Sequence, residues 1–268
     1  MEASGAQYAI EHGERRAVAV EVGGGLRAYD GVLLGYGADE MARAGRGQVL
    51  APWPNRLEDG SYSFGGQELQ LALSEPATRT AIHGLVRFAN WTCVAHTADA
   101  VTLEHVLHPQ PGYPFLLRLR VAYSLDERGL AVETTAENLG DEPAPFGLAH
   151  HPYLAGRADD FEVMLPARTK LTVDERKLPV GREPNDLPQT FRVGDLQLDT
   201  TFTDLERNEV RVGEHRVWFD GTFRYVQLFT GDHPHVGRKG LAVEPMTCPP
   251  NAFRSGEGLA AIRPGETF

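Results

Sequence analysis

Cysteine is scarce in this chain: the 268 residues contain only Cys93 and Cys248. Two thiols make no disulfide framework for a protein of this length, so both are expected to be reduced, as in a cytosolic protein. Positive charge is also in deficit, with 26 Lys and Arg against 37 Asp and Glu and a net charge of -11. Nucleic acid and anionic membranes both require positive potential, so neither is expected as a partner. Long apolar runs are missing, and none approaches the roughly 18 residues of a membrane span. The opening MEASGAQYAIEHGERR lacks the basic and apolar regions of a secretory leader. These absences predict a cytoplasmic location. No Cys-x-x-Cys or His-Glu-x-x-His occurs, and His233-Pro234-His235 offers two imidazoles without a third ligand at fixed spacing. No nucleotide-binding glycine fingerprint, Walker loop or Gly-x-Ser-x-Gly elbow is present either. Neither metal nor cofactor is expected.

What the chain does have is period-two alternation. Phe115, Leu117, Leu119, Val121, Tyr123 and Leu125 alternate with Arg118, Arg120 and Ser124, which predicts a long half-buried strand. Asp126 to Gly129 (DERG) reads as a hairpin turn into a second strand, Leu130 to Asn138, with Leu130 and Val132 on one side and Glu133 and Glu137 on the other. Further strands are expected at Arg16–Val22, Val101–Leu107, Phe161–Leu165, Arg216–Phe219, Phe223–Phe229 and Leu241–Glu244. Helical periodicity is confined to a turn or two at Asp39–Ala44. Glu175 to Asn185 reads as an ordered surface loop. With 29 Gly and 18 Pro as punctuation, the expected fold is all-β: one domain over residues 1–268, a large antiparallel β-sandwich with few short helices.

Five clusters place functional side chains where strands should end. In Ala51-Pro52-Trp53-Pro54-Asn55-Arg56 two prolines stiffen the backbone before Arg56, whose planar fork suits paired hydroxyls; an ordinary surface arginine is the alternative. His83-Gly84 lets backbone approach a ligand, although a lone histidine is more often structural. In Leu148-Ala149-His150-His151-Pro152-Tyr153, successive side chains of an extended segment point to opposite faces, so only one of His150 and His151 can face a given pocket. Pro152 also restricts His151 to extended backbone. Leu198-Asp199-Thr200-Thr201-Phe202-Thr203-Asp204 offers a hydrogen-bonding carboxylate or a turn-forming one. In Leu241-Ala242-Val243-Glu244-Pro245 a carboxylate ends an apolar strand. Desolvation there would raise its pKa towards that of a general base, unless it is a solvated strand cap.

The ordered set PWPNR, HGLVR, HHPYL, LDTTF and LAVEPMTCPPNAF resembles the aldose 1-epimerase (galactose mutarotase) family. The resemblance implies a β-sandwich of the galactose-mutarotase type acting on an unphosphorylated, galactose- or glucose-like aldose. It implies His151 as general acid and Glu244 as general base, one serving the ring oxygen and the other the C1 hydroxyl. Arg56, His83 and Asp199 would hold the sugar, with Asn55 and Tyr153 as further contacts; Asp204 competes with Asp199 for its role. An aromatic such as Trp53, Tyr153 or Phe253 would stack on the ring. The partner implied is a monosaccharide, and the protein a monomer or homodimer. Leu85 and Leu154-Ala155 depart from the family's wording, and relatives run through one more strand beyond PGETF. A hexose-6-phosphate 1-epimerase would need cations such as Arg87 and Arg238 to converge on phosphate. A non-catalytic sugar-binding protein on the same fold, and a glycoside hydrolase pairing Glu244 with Asp199, are the other readings.

Overall fold

The computed structural model describes residues 2–268. The strongest alternation in the sequence becomes the strand Leu117–Asp126, joined by a two-residue turn to Gly129–Asn138, with Asp126 opposite Gly129. Ala100–Leu107 and Thr92–His96 complete a four-stranded antiparallel sheet. Its inward row of Leu117, Leu119, Val121, Tyr123 and Leu125 is buried. On the outward face Arg118 and Arg120 pair with Glu137 and Glu104, each at 2.8 Å. The outer strand departs from expectation, because Val132 is 39% exposed. It stands opposite the buried Tyr123, on the edge strand of this sheet.

A larger, eight-stranded sheet forms the other half of the architecture. Its order runs Pro179–Pro184, Ala167–Val173, Asp199–Leu205, Tyr225–Phe229, Gly240–Met246, Ala149–His150 and Val49–Leu50, with Tyr153–Ala155 also pairing to Gly240–Met246. All seven residues of the Gly240–Met246 strand are buried. One face of this sheet is apolar: Phe202, Val226, Leu228, Leu241 and Val243 pack with Val163, Val210 and Val212 into a core of their own. The opposite face carries the polar residues of the same strands. The all-β, mainly antiparallel reading therefore holds.

Two local expectations fail. Asp39–Ala44 forms no helix, and the helical elements among the described residues are the short turns Ala158–Asp160 and Ala252–Ser255. Six residues flanked by Gly37 and Gly45 are too few to offset the cost of nucleating a helix. Part of the supposed loop at Glu175–Asn185 is a strand, Pro179–Pro184, antiparallel to Ala167–Val173. Five of its six residues are exposed. An edge strand without a buried face has no hydrophobic alternation to display. Cys93 and Cys248 are free thiols. Among the described residues no helix is long and apolar enough to cross a membrane.

Candidate active site

The large sheet opens at its centre. Ala149 pairs with Met246 and Tyr153 with Ala242 on the same neighbouring strand. Carried through, this register sets His151 opposite Glu244 and His150 opposite Pro245. The ladder is interrupted there, and the backbone contact that remains is Val243 N–H donating to Pro152 C=O at 3.2 Å. Side chains directly opposite in an antiparallel pair share a face. His151 Nε2 and Glu244 Oε1 accordingly lie 3.3 Å apart, with side chains 5% and 3% exposed. The same pairing continues across the sheet, so His151, Glu244, Gln227 and Thr201 form one row, and Tyr153, Ala242, Phe229 and Asp199 the next.

The backbone around His151 is shaped by a β-bulge. Gly47, at φ 66°, donates its N–H to His151 C=O at 2.9 Å, while His151 N–H donates to Gln48 C=O at 3.2 Å. Two residues thus face one, and bulges of this kind re-aim a side chain beside a functional site. Gly45 lies against the imidazole so closely that a Cβ there would sit 2.3 Å from His151 Cδ2. Tyr153 stacks on the ring, centroids 4.9 Å apart and planes 17° from parallel. Its hydroxyl donates to Ala44 C=O at 2.9 Å.

Burial dominates the electrostatics. It pushes His151 down to about 3, and lifts Glu244 well above the usual carboxylate range, with the charge of Asp199 adding and that of Arg56 opposing. The shared cause disfavours separated charges, so the pair rests as a neutral acid beside a neutral imidazole. His151 Nδ1 and Glu244 Oε2 are buried without partners, as is Gln48 Oε1. Such orphans are rare in folded proteins. Two on one contacting pair mark a place where a ligand's hydroxyls can complete the hydrogen bonding.

His83 and Asn55 interlock beside this pair, both with left-handed backbone at φ 63° and 53°. Asn55 N–H donates to His83 Nδ1 at 3.1 Å, and His83 N–H donates back to Asn55 C=O at 2.9 Å. With Nδ1 an acceptor and burial holding its pKa well down, His83 is the neutral tautomer bearing its proton on Nε2. Its ring meets that of His151 edge-on at 5.6 Å. Asn55 Oδ1 accepts from Arg56 N–H at 2.8 Å, so this side chain shapes the turn. Asp199 accepts from Gln227 Nε2 at 2.7 Å and lies 3.7 Å from Lys177 Nζ. The charges of Asp199 and Arg56 both act on Glu244. Asp204 sits at the far end of its strand and accepts from Thr169 Oγ1; of the two aspartates, Asp199 is the one beside the pair. His150 turns to the other face and contacts Thr134 Oγ1 at 3.1 Å.

The expected stacking aromatics occupy other places. Trp53 and Phe253 are both 3% exposed. Trp53 donates Nε1–H to Ala81 C=O at 3.2 Å, and Phe253 packs on Tyr62 at 4.8 Å. Both belong to the core that supports the Arg56 turn, and Tyr153 backs His151. Arg238 is consumed by Asp159 and Asp232, at 2.6 and 2.8 Å. Arg87 donates to Ile82 C=O at 3.3 Å, and its charge acts on His83 and His151. It has no carboxylate partner among the described residues. Sequence reasoning missed three participants: Gln227 and Lys177, which lie against Asp199, and Glu75, which pairs with Arg56 at 2.7 Å. Gln227 is a polar residue in an otherwise apolar strand, a legible signal. Glu75 and Lys177 lie in irregular segments that carry none.

A family model described as aldose 1-epimerase matches residues 6–268. The chain belongs to the aldose 1-epimerase family. Its similarity to the Escherichia coli protein YihR is 35% identity, covering 99% of this chain and 92% of that one. Human galactose mutarotase is 32% identical over 145 residues, half of this chain and 41% of that protein. Among solved structures, a galactose mutarotase-like protein from Clostridium acetobutylicum superposes with a TM-score of 0.84 at 18% identity, covering 97% of this chain and 91% of that one. A GalM/aldose epimerase homologue from Caenorhabditis elegans reaches 0.86 at 17% identity, covering 98% and 96%. These structures share the fold of the aldose 1-epimerase family seen here, the galactose-mutarotase β-sandwich.

Proposed function

We propose that this protein interconverts the α and β anomers of an unphosphorylated aldose, with Glu244 as general base and His151 as general acid. The observation that carries the reading is the pair itself: a carboxyl and an imidazole in contact, enclosed, and each with one polar atom unpartnered. Ring opening breaks the C1–O5 bond. The C1 hydroxyl proton goes to Glu244, the electron pair of that O–H bond becomes the carbonyl, and O5 takes a proton from His151. Rotation about C1–C2 and the reverse transfers close the ring on its other face. O1 and O5 are bonded to the same carbon, so a base and an acid that already touch are spaced to serve both. The reactive form, imidazolium beside carboxylate, differs from the neutral resting pair only in where one proton sits, and the developing charges of the substrate favour it. Arg56, His83 and Asp199 hold the ring hydroxyls, with Asn55 setting the Arg56 turn and Tyr153 backing His151. A hydrolase reading that pairs Glu244 with Asp199 leaves His151 without a task.

Polarimetry on freshly dissolved α-D-glucose and α-D-galactose tests this, and faster mutarotation than in buffer is expected for at least one. Gly45→Ala provides a second check. Its methyl group would displace the His151 ring, and kcat should fall at least about tenfold, because sub-ångström placement governs such steps. An unchanged kcat would separate His151 from the reaction.

Arg87 favours a second reading, a sugar carrying an anionic group such as phosphate, because it is a guanidinium without a carboxylate partner among the described residues that acts on the histidines. Arg238 no longer supports it. Glucose 6-phosphate should leave glucose mutarotation untouched if the neutral-sugar reading is right, and compete well below the glucose KM if the anionic one is.

A further inference from the structure

Only half of the Arg56 fork is free for a ligand. Nε and Nη2 donate to the two oxygens of Glu75 at 2.7 and 2.9 Å, while Nη1 donates to no group among the described residues. Glu75 also accepts from the hydroxyls of Thr78 and Thr80, at 2.6 and 2.8 Å, so its carboxylate receives four hydrogen bonds. The turn that carries it is closed on itself by Glu75 N–H to Thr80 C=O and Thr80 N–H to Glu75 C=O, at 3.0 and 3.2 Å. From across the chain, Arg176 ties the same turn down, donating to Thr78 C=O and Arg79 C=O at 3.0 Å each. Glu75 is thus anchored independently of Arg56. Although burial works against both charges, the contact keeps Arg56 raised and Glu75 lowered, hence both ionised.

The need for such an anchor follows from the neighbourhood. Arg56 lies in the field of Asp199 and of Glu244, and Glu244 Oε2 is buried without a partner. A guanidinium free to swing would favour the ionised form of Glu244 and settle on that oxygen, since opposite charges attract strongly where water is excluded. It would then hold Glu244 as a weakly basic ion pair and be lost to the sugar.

We propose that Glu75 is a positioning residue, which locks Arg56 so that its Nη1 edge meets a sugar hydroxyl while the cation is kept off Glu244. This rests on the mutarotase reading above. Glu75→Gln keeps the shape but leaves one acceptor oxygen where two were needed. KM should rise about tenfold, the lower end for losing a hydrogen bond to a charged group. The alkaline limb of kcat against pH should also move to lower pH, because an approaching cation lowers Glu244 and the pair then loses its shared proton sooner as pH rises. Glu75→Asp should recover part of both effects. In an Arg56→Ala background, Glu75→Gln should change neither KM nor the limb, the double-mutant signature of a residue acting through Arg56. Persistence of the KM effect in that background, or an unchanged KM and limb in the single variant, would overturn the proposal. Should Glu75→Gln not fold, Thr78→Val takes its place, with shifts in the same direction expected and their absence equally decisive. A wild type without mutarotase activity removes the underlying reading; an active wild type whose Glu75 effect ignores Arg56 removes this proposal alone.

Discussion

Replacing Glu244 with glutamine is expected to lower kcat for anomer interconversion by at least about 10², the usual contribution of a positioned acid–base group. The substitution isolates the chemistry. Glutamine matches the shape of a carboxyl that burial already holds in its neutral form, so folding should be preserved and the melting temperature should not drop. What is lost is the capacity to take the C1 hydroxyl proton. The wild type should also show an alkaline limb in kcat, because the pair works with one shared proton, and that proton is lost as pH rises through the desolvation-raised pKa of Glu244. The variant should lack that limb. Full activity in Glu244→Gln would dismiss the assignment.

His151→Asn carries the second large effect, again a loss of at least about 10² in kcat. Asparagine can occupy the near half of the imidazole's space but cannot hand a proton to O5. The stack with Tyr153 at 4.9 Å is lost as well, so a melting curve should accompany the kinetics. Acid and base act on one concerted event, and residues that work as a unit are strongly non-additive. The double variant is therefore expected to be about as slow as the slower single one. Multiplied losses in the double variant would mean that the two side chains serve separate steps.

The fold was legible wherever a strand had one wet and one dry face. Leu117 to Leu125 declared itself in this way, and so did the hairpin turn at Glu127-Arg128. Pro179–Pro184 did not, since nearly all of its side chains meet solvent, and the backbone pairing that makes it a strand leaves no mark on residue choice. At the site, the choice between His150 and His151 rested on a family motif, and the opposed faces of an extended chain agree with it. The burial of His151 was not legible. His151 is enclosed by Gly45 and Tyr153, because the covering segment Ala44–Gln48 is irregular and its path depends on contacts far away in sequence. Trp53 and Phe253 misled for a related reason. Their motifs adjoin the site, but apolar rings are drawn into the nearest core, and here that core lies behind the Arg56 turn.

The pairing of His151 with Glu244 has one further consequence. A binding cleft in mid-sheet normally strands amide hydrogens that water cannot reach, and each is a debt of several kilocalories in the worst case. Pro152 and Pro245 carry no amide hydrogen at all. By setting an imino acid beside each of its two reacting residues, the chain parts its central strands at the place where the gap orphans the fewest donors, and rigidity on either side is kept.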